Sequence, residues 1–206
     1  MIETQTEGGL LIITLNRPDK ANALTAEMLE ALRDAVLESD AQAIIITGKG
    51  TVFSAGADLD AAKAGLAVSG IWEEVSGAIA ASKAFTIAAL NGTLAGGAFG
   101  MALACDLRIA VPGAKFFYPV MKLGFLPQPS DPVRLATIAG PSVAKRILMG
   151  GEKLTVEDAL RVGLVDQIVE REELMARAKA VVEDALAASP EHVAAIKAMI
   201  VGSKES

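Results

Sequence analysis

The sequence predicts an α/β fold with a mostly parallel sheet. Short aliphatic, β-branched runs alternate along the chain with longer segments whose apolar residues recur at three- and four-residue spacing. The 206 residues suffice for one domain with a substantial core. Of these, 52% are hydrophobic but only 4% are aromatic, so that core is built of Ala, Leu, Ile and Val. The 19 glycines fit a fold with many tight turns and close main-chain approaches.

Taken in order, Leu10–Leu15 reads as a strand that stops at the turn cluster Asn16-Arg17-Pro18-Asp19. Thr25 caps a helix running to about Ser39, with Met28, Leu29, Leu32 and Val36 on its buried face. Ala43–Thr47 is a second strand, and its Ile44-Ile45-Ile46 run predicts burial on both faces. Gly48-Lys49-Gly50 follows as a turn. Residues 60–83 read as weakly defined helix with a mobile loop at Gly65–Gly70. Thr86–Leu90 is the third strand, Gly96–Ala104 a helix rich in small residues, and Leu107–Val111 the fourth strand. A proline-rich loop, Pro127–Pro132, interrupts the chain. Helices are expected at Ser142–Met149 and Thr155–Val162, then a short strand at Leu164–Val169 and an amphipathic helix at Arg171–Ala187. Ser189-Pro190 opens a final helix through Ile200. The one boundary drawn separates a core, 1–170, from a C-terminal helical segment, 171–206.

Composition excludes several classes of function. The formal net charge of −6 argues against nucleic acid and against an anionic membrane as main partners. Local cations or helix N-termini can still hold a small anionic ligand. The single cysteine, Cys105, forbids an intramolecular disulfide and reads as a buried, inert thiol, which suits a reducing cytoplasm. Met1-Ile2-Glu3-Thr4 shows neither a basic stretch nor a long apolar run, so no signal peptide is expected. Residues 84–105 carry no charge, but Asn91-Gly92 and Gly96-Gly97 break the run into a buried strand, turn and helix rather than a membrane span.

The chain has no P-loop and no GxGxxG after a strand. Its lone histidine, His192, and lone cysteine argue against a zinc site, and no GxSxG elbow accompanies His192. What remains are two glycine-bearing turns placed just after strands, residues 47–59 and 89–98. Small residues at Ala55–Ala57 and Gly96–Ala98 leave main-chain N–H groups uncovered, and two such donors aimed at one oxygen stabilise negative charge developing there. On spacing alone, the same glycines also fit a purely structural role in turns and close packing.

Four motifs resolve that choice. Leu15–Leu24 (LNRPDKANAL), Phe53–Leu59 (FSAGADL), Asn91–Asp106 (NGTLAGGAFGMALACD) and the segment Gly151–Val169 resemble, in order, the motifs of the enoyl-CoA hydratase/isomerase (crotonase) family. The resemblance covers roughly residues 3–200. It implies a spiral of ββα units with a short C-terminal helical tail and an acyl-CoA substrate. No cofactor is implied beyond the coenzyme A of that substrate, and a cytoplasmic homo-oligomer, trimer-based, is expected. Carried over by position, the oxyanion donors are the N–H groups of Ala57 and Gly97. Lys20 and Ala21 match the stretch that contacts the CoA nucleotide, and Ala55, Asp58 and Leu59 match the loop along the thioester and pantetheine path. Asp58 also reads as a loop-holding aspartate and Lys20 as a solvated lysine.

The departures concern acid–base chemistry. The two glutamates that family hydratases use to add water fall at Gly100 and Val120, both expected to face the substrate, and neither can move a proton. The family's glycine-rich loop becomes Pro127–Leu135. Asp131 and Tyr118, the only tyrosine, are the replacement candidates, with a turn-forming aspartate as the rival reading of Asp131. Some family decarboxylases lack both glutamates because loss of CO2 yields the enolate without a base. Hydration, decarboxylation, hydrolysis, isomerisation and a non-catalytic acyl-CoA-binding paralogue all remain open. The chain is short for the family, so the last helices that help trimer assembly are expected to be missing.

Overall fold

The computed structural model describes residues 1–201. The chain opens with an antiparallel hairpin, β1 (Ile2–Glu7) on β2 (Leu10–Leu15), turned by Gly8 and Gly9 in the left-handed region. α1 (Ala26–Leu37), capped by the Thr25 hydroxyl, returns the chain to β3 (Ala43–Gly48). From here the pattern repeats. β3 is followed by β4 (Val52–Ser54) and the helices α2 (Leu59–Lys63) and α3 (Ile71–Ala81). β5 (Phe85–Leu90) is followed by β6 (Thr93–Ala95) and α4 (Phe99–Ala104). β7 (Leu107–Ala110) is followed by β8 (Lys115–Phe117), α5 (Val120–Leu123), α6 (Asp131–Ala139) and α7 (Pro141–Leu148). β9 (Leu154–Thr155), α8 (Val156–Arg161) and β10 (Gln167–Ile168) precede α9 (Leu174–Val181), α10 (Glu183–Ala187) and α11 (Pro190–Val201).

The first strand of each repeat enters one sheet and the second enters another. The larger sheet has the order β1-β2-β3-β5-β7-β10, parallel except for β1, and the smaller has the order β4-β6-β8-β9. This is the spiral of ββα units that the motifs imply. Both faces of the larger sheet are buried, as the triple isoleucine of β3 requires. Ile44 and Ile46 join the main core with α1, α3 and α4, while Ile45 packs the other way with Leu174, Ala178 and Val182. The C-terminal segment, expected as a tail from residue 171, therefore closes the far face of the sheet with α9. Lys197 of α11 adds a bond to the Asp106 carboxylate at 2.8 Å. Residues 202–206, the end of that segment, lie outside the described residues.

Several elements differ from expectation. The smaller sheet was not predicted, because strands of two or three residues show no period. β1 was missed because it is an edge strand with mostly polar, exposed residues. Pro127–Pro132 is loop only as far as Ser130; α6 begins at Asp131 with Pro132 in its first turn, where a missing N–H costs nothing. The segment 171–187 is one 3-10 turn and two short helices rather than a single helix. Cys105 is buried, and burial pushes its thiol up to about 12. Among the described residues, no helix is long and apolar enough to cross a membrane and no cluster of potential metal ligands exists.

Candidate active site

The site lies where the turn after β4 meets the turn after β6. Gly56 has φ 91°, in the left-handed region, and a side chain there would meet the Ala95 carbonyl at 2.9 Å and the Gly96 Cα at 3.3 Å. Only glycine lets the two turns approach this closely. Gly96, with φ 58°, then directs the chain into the short 3-10 turn Gly96–Ala98 that leads into α4.

The approach brings together two unused main-chain donors. The carbonyl of Gly56 accepts from Leu24 N–H at 2.8 Å, and Asp58 N–H donates to the Leu24 carbonyl at 2.8 Å. Both neighbours of Ala57 are thus pinned to Leu24, while the Ala57 N–H itself makes no hydrogen bond within the described residues. The Gly97 N–H is likewise free, because it belongs to the first turn of a helical segment and has no carbonyl behind it. Both N–H groups belong to residues that line the same cleft.

The cleft around them has about 180 Å³ of open volume and is lined almost entirely by apolar groups. Ala55, Ala57 and Leu59 come from the first turn, Gly96 and Gly97 from the second, and Tyr118 and Val120 from the β8–α5 junction. Trp72 of α3 closes one wall. Its indole N–H donates to the Leu66 carbonyl at 2.8 Å, and its ring lies so close to Gly97 that a side chain at 97 would meet it at 3.1 Å. The turns are held from outside by two asparagines. The amide of Asn22 donates to the carbonyls of Lys49 and Val52, and Asn91 accepts from Gly48 N–H and donates to the Gly50 carbonyl.

The comparisons with known proteins bear on this geometry directly. A family model for enoyl-CoA hydratase/isomerase matches residues 5–205. The chain belongs to the enoyl-CoA hydratase/isomerase family. Among similar relatives, a short-chain-enoyl-CoA hydratase of Clostridium acetobutylicum is 32% identical, over 90% of this chain and 75% of its own. A carnitinyl-CoA dehydratase of Salmonella typhi is 35% identical, over 96% of this chain and 79% of its own. The crystal structure of an enoyl-CoA hydratase/isomerase from Pseudoalteromonas atlantica superposes with a TM-score of 0.89 at 28% identity. That match covers 97% of this chain and 82% of the other. The ββα spiral is thus the fold of that family.

Of the residues singled out in the sequence, Ala55, Ala57, Leu59, Gly97 and Val120 line the cleft, and Lys20, Ala21, Asp58, Gly100 and Asp131 do not. Ala21, with φ 50°, accepts from Ala55 N–H at 3.0 Å and so positions the first turn through its main chain. Asp58 caps α2 through Asp60 and Ala61 N–H and pairs with Arg17 at 2.8 Å. The Arg17 guanidinium and the capping N–H groups hold its carboxyl below the usual carboxylate range. Asp58 is thus bonded to α2 and to Arg17. Lys20 is exposed on a 3-10 turn. Gly100, expected to face the substrate, is instead covered: a side chain there would meet the Asp131 carboxyl at 2.8 Å.

Asp131 is fully buried at the start of α6. Its Oδ2 accepts from the Tyr118 hydroxyl at 3.0 Å, and its Oδ1 has no partner. Burial pushes this carboxyl up to about 7, against the smaller opposing effects of Tyr118 and Arg134. Burial, and then the charge on Asp131, raise the Tyr118 hydroxyl far above its usual range. Sequence reading missed Trp72, Gln128, Asn22 and Asn91. A signal existed for the asparagines, as lone amides inside otherwise apolar or turn segments, but not for Trp72, which sits in a helix of weak periodicity.

Proposed function

We propose that the cleft binds an acyl-CoA thioester and polarises its carbonyl with the N–H groups of Ala57 and Gly97. The observation that carries this reading is the pair of unpartnered main-chain donors on turns locked by Leu24 and by the glycine contact at residue 56. A thioester oxygen seated there gains negative charge as an enolate forms, and the donors hold it in an apolar, water-poor site where such bonds are strong. Ala55, Leu59 and Val120 line the acyl and thioester path, and Lys20 and Ala21 flank the entry for the CoA nucleotide. Coenzyme A enters as part of the substrate, with no separate cofactor.

With Gly100 and Val120 at the places of the family's glutamates, the two-carboxylate addition of water is not available in its usual form. Reactions that need the enolate but fewer proton carriers fit better, namely decarboxylation or double-bond isomerisation. The exposed apolar side chains of Met121, Leu123, Leu126, Val133 and Met149 beside the cleft support a homo-oligomer, trimer-based as in the family.

The test is a mass-spectrometric panel of enoyl-, malonyl-type and saturated acyl-CoA thioesters, with wild-type protein and Gly97→Pro. Loss of carbon dioxide identifies decarboxylation and gain of water hydration; an unchanged mass with a shifted chromatographic position identifies isomerisation, and free CoA hydrolysis. Binding without turnover across the panel identifies an acyl-CoA-binding paralogue. Removing the Gly97 donor is expected to lower turnover by about 10²–10³, the usual cost of one oxyanion donor. Unchanged turnover in that variant overturns the donor assignment.

A further inference from the structure

An enolate formed by breaking a C–H bond, as in double-bond isomerisation, needs somewhere for the proton of the carbon next to the thioester to go. Tyr118 is the only titratable side chain lining this cleft. Its hydroxyl does not ionise alone, because burial and the neighbouring carboxyl both oppose the phenolate. Behind it stands Asp131, the only buried carboxylate among the described residues. Asp131 Oδ1 is also the only buried side-chain polar atom there without a hydrogen-bond partner. Leaving a charge-capable oxygen buried and unpaired is costly, so its persistence in a packed core needs a reason.

The surrounding residues are arranged around that carboxyl. Gly100 leaves the space it fills. Gly100 follows the donor Gly97 by three residues, about one turn further along the chain into α4. Phe99 stacks on the Tyr118 ring with centroids 5.5 Å apart and fixes its orientation. The hydroxyl donates its own proton to Asp131, so its oxygen can still accept another. Glu73 holds Ser130 through both its N–H and its hydroxyl, which anchors the start of α6 and with it Asp131.

We infer that Tyr118 and Asp131 form the proton-transfer pair of the cleft, returning from α6 the carboxyl that position 100 lacks. This rests on the thioester reading above. In the step, the C2–H bond of the acyl group breaks and its proton joins the Tyr118 oxygen. The hydroxyl's own proton passes to Asp131 Oδ2. The C–H electron pair moves into the thioester, and its oxygen carries the negative charge at the Ala57 and Gly97 N–H groups. Reversal returns a proton to carbon, so one pair can remove and restore it without a second acid.

The experiment follows butyryl-CoA in D2O with the full chain, reading deuterium at C2 by mass spectrometry. Binding is read separately from the fluorescence of the single tryptophan, Trp72, in the cleft wall. Wild-type protein is expected to exchange C2–H. Asp131→Asn and Tyr118→Phe are each expected to lose at least about 100-fold in exchange, typical of a lost acid–base group, while binding changes little. Wild-type exchange should rise about tenfold per pH unit below 7 and level off above it, as Asp131 ionises. Should the Asn variant not fold, this wild-type profile decides, since a purely structural Asp131 would not produce it. Binding without exchange, exchange surviving in Asp131→Asn, or a profile flat from pH 5 to 9 overturns the proton pair. No binding at all overturns instead the thioester reading beneath it.

Discussion

The two sides of the cleft are built on opposite principles. On the donor side the proposed functional groups are main-chain N–H groups of Ala57 and Gly97, held by turns whose shape depends on having no side chains at Gly56 and Gly96. On the far side the proposed groups are side chains, Tyr118 of the β8–α5 junction and, behind it, Asp131 at the start of α6. The first kind is fixed by backbone geometry and is insensitive to pH. The second stores an ionisable group in a dry place and is strongly sensitive to it.

The sharpest test of this contrast is the pH dependence of stability. The Asp131 carboxyl titrates near 7 in the folded chain against an unfolded value near 3.8. Below about pH 4 both states hold the proton and Asp131 contributes no slope. Between about 4 and 7 the unfolded chain releases the proton and the folded one keeps it, so stability falls as pH rises. The full loss, on the order of 4 kcal/mol, is reached above 7. The groups facing Asp131 are Tyr118 from the β8–α5 junction, Arg134 on α6 itself and Glu73 on α3, while α4 presents only Gly100. Asp131→Asn removes this slope and leaves the others. Urea denaturation at pH 4, 6 and 8 should show the variant gaining on the wild type as pH rises. Parallel curves would mean that the folded carboxyl titrates normally.

A comparable cost on the donor side should come from geometry alone. In Gly56→Ala the new methyl would sit 2.9 Å from the Ala95 carbonyl on a residue of positive φ. Strain and overpacking together are expected to cost about 1–3 kcal/mol at every pH, and turnover should fall as the two turns separate. A variant with normal turnover would show that the two donors do not depend on this contact.

The same contrast explains what the sequence could disclose. The glycine-bearing turns were legible because close main-chain approach leaves small residues behind: 55–57 and 96–98 stood out in the sequence, although spacing alone also fitted a structural role, and the motif order supplied the family. The large sheet was legible through Ile44-Ile45-Ile46 and its neighbours, since burial on both faces requires a continuous apolar run. The acid side was not legible to the same degree. Asp131 lies 31 positions from Gly100 in the chain, and nothing local to either residue reveals that one fills the space left by the other. Its helix was hidden by Pro127–Pro132, which read as loop although Pro132 suits a first turn. Strands as short as β4, β6 and β8 carry too few residues for a period, so the smaller sheet came only with the structure.

The mildest prediction separates holding the donor turn from taking part in chemistry. Asp58→Ala removes the cap of α2 and one partner of Arg17, whose guanidinium keeps its bond to the Ala23 carbonyl. The loss of a cap is expected to cost about 1 kcal/mol of stability. The Ala57 N–H is still held through Gly56 and Leu24, and Asp58 keeps its main-chain bond to the Leu24 carbonyl. Turnover should therefore fall by only a few-fold, with the wild-type pH profile retained, if the profile is set by Asp131 as proposed. Thermal denaturation and the C2-exchange rate measured on one preparation check both halves. A loss of exchange as deep as that of Asp131→Asn would move Asp58 from the frame of the donor turn into the chemistry itself.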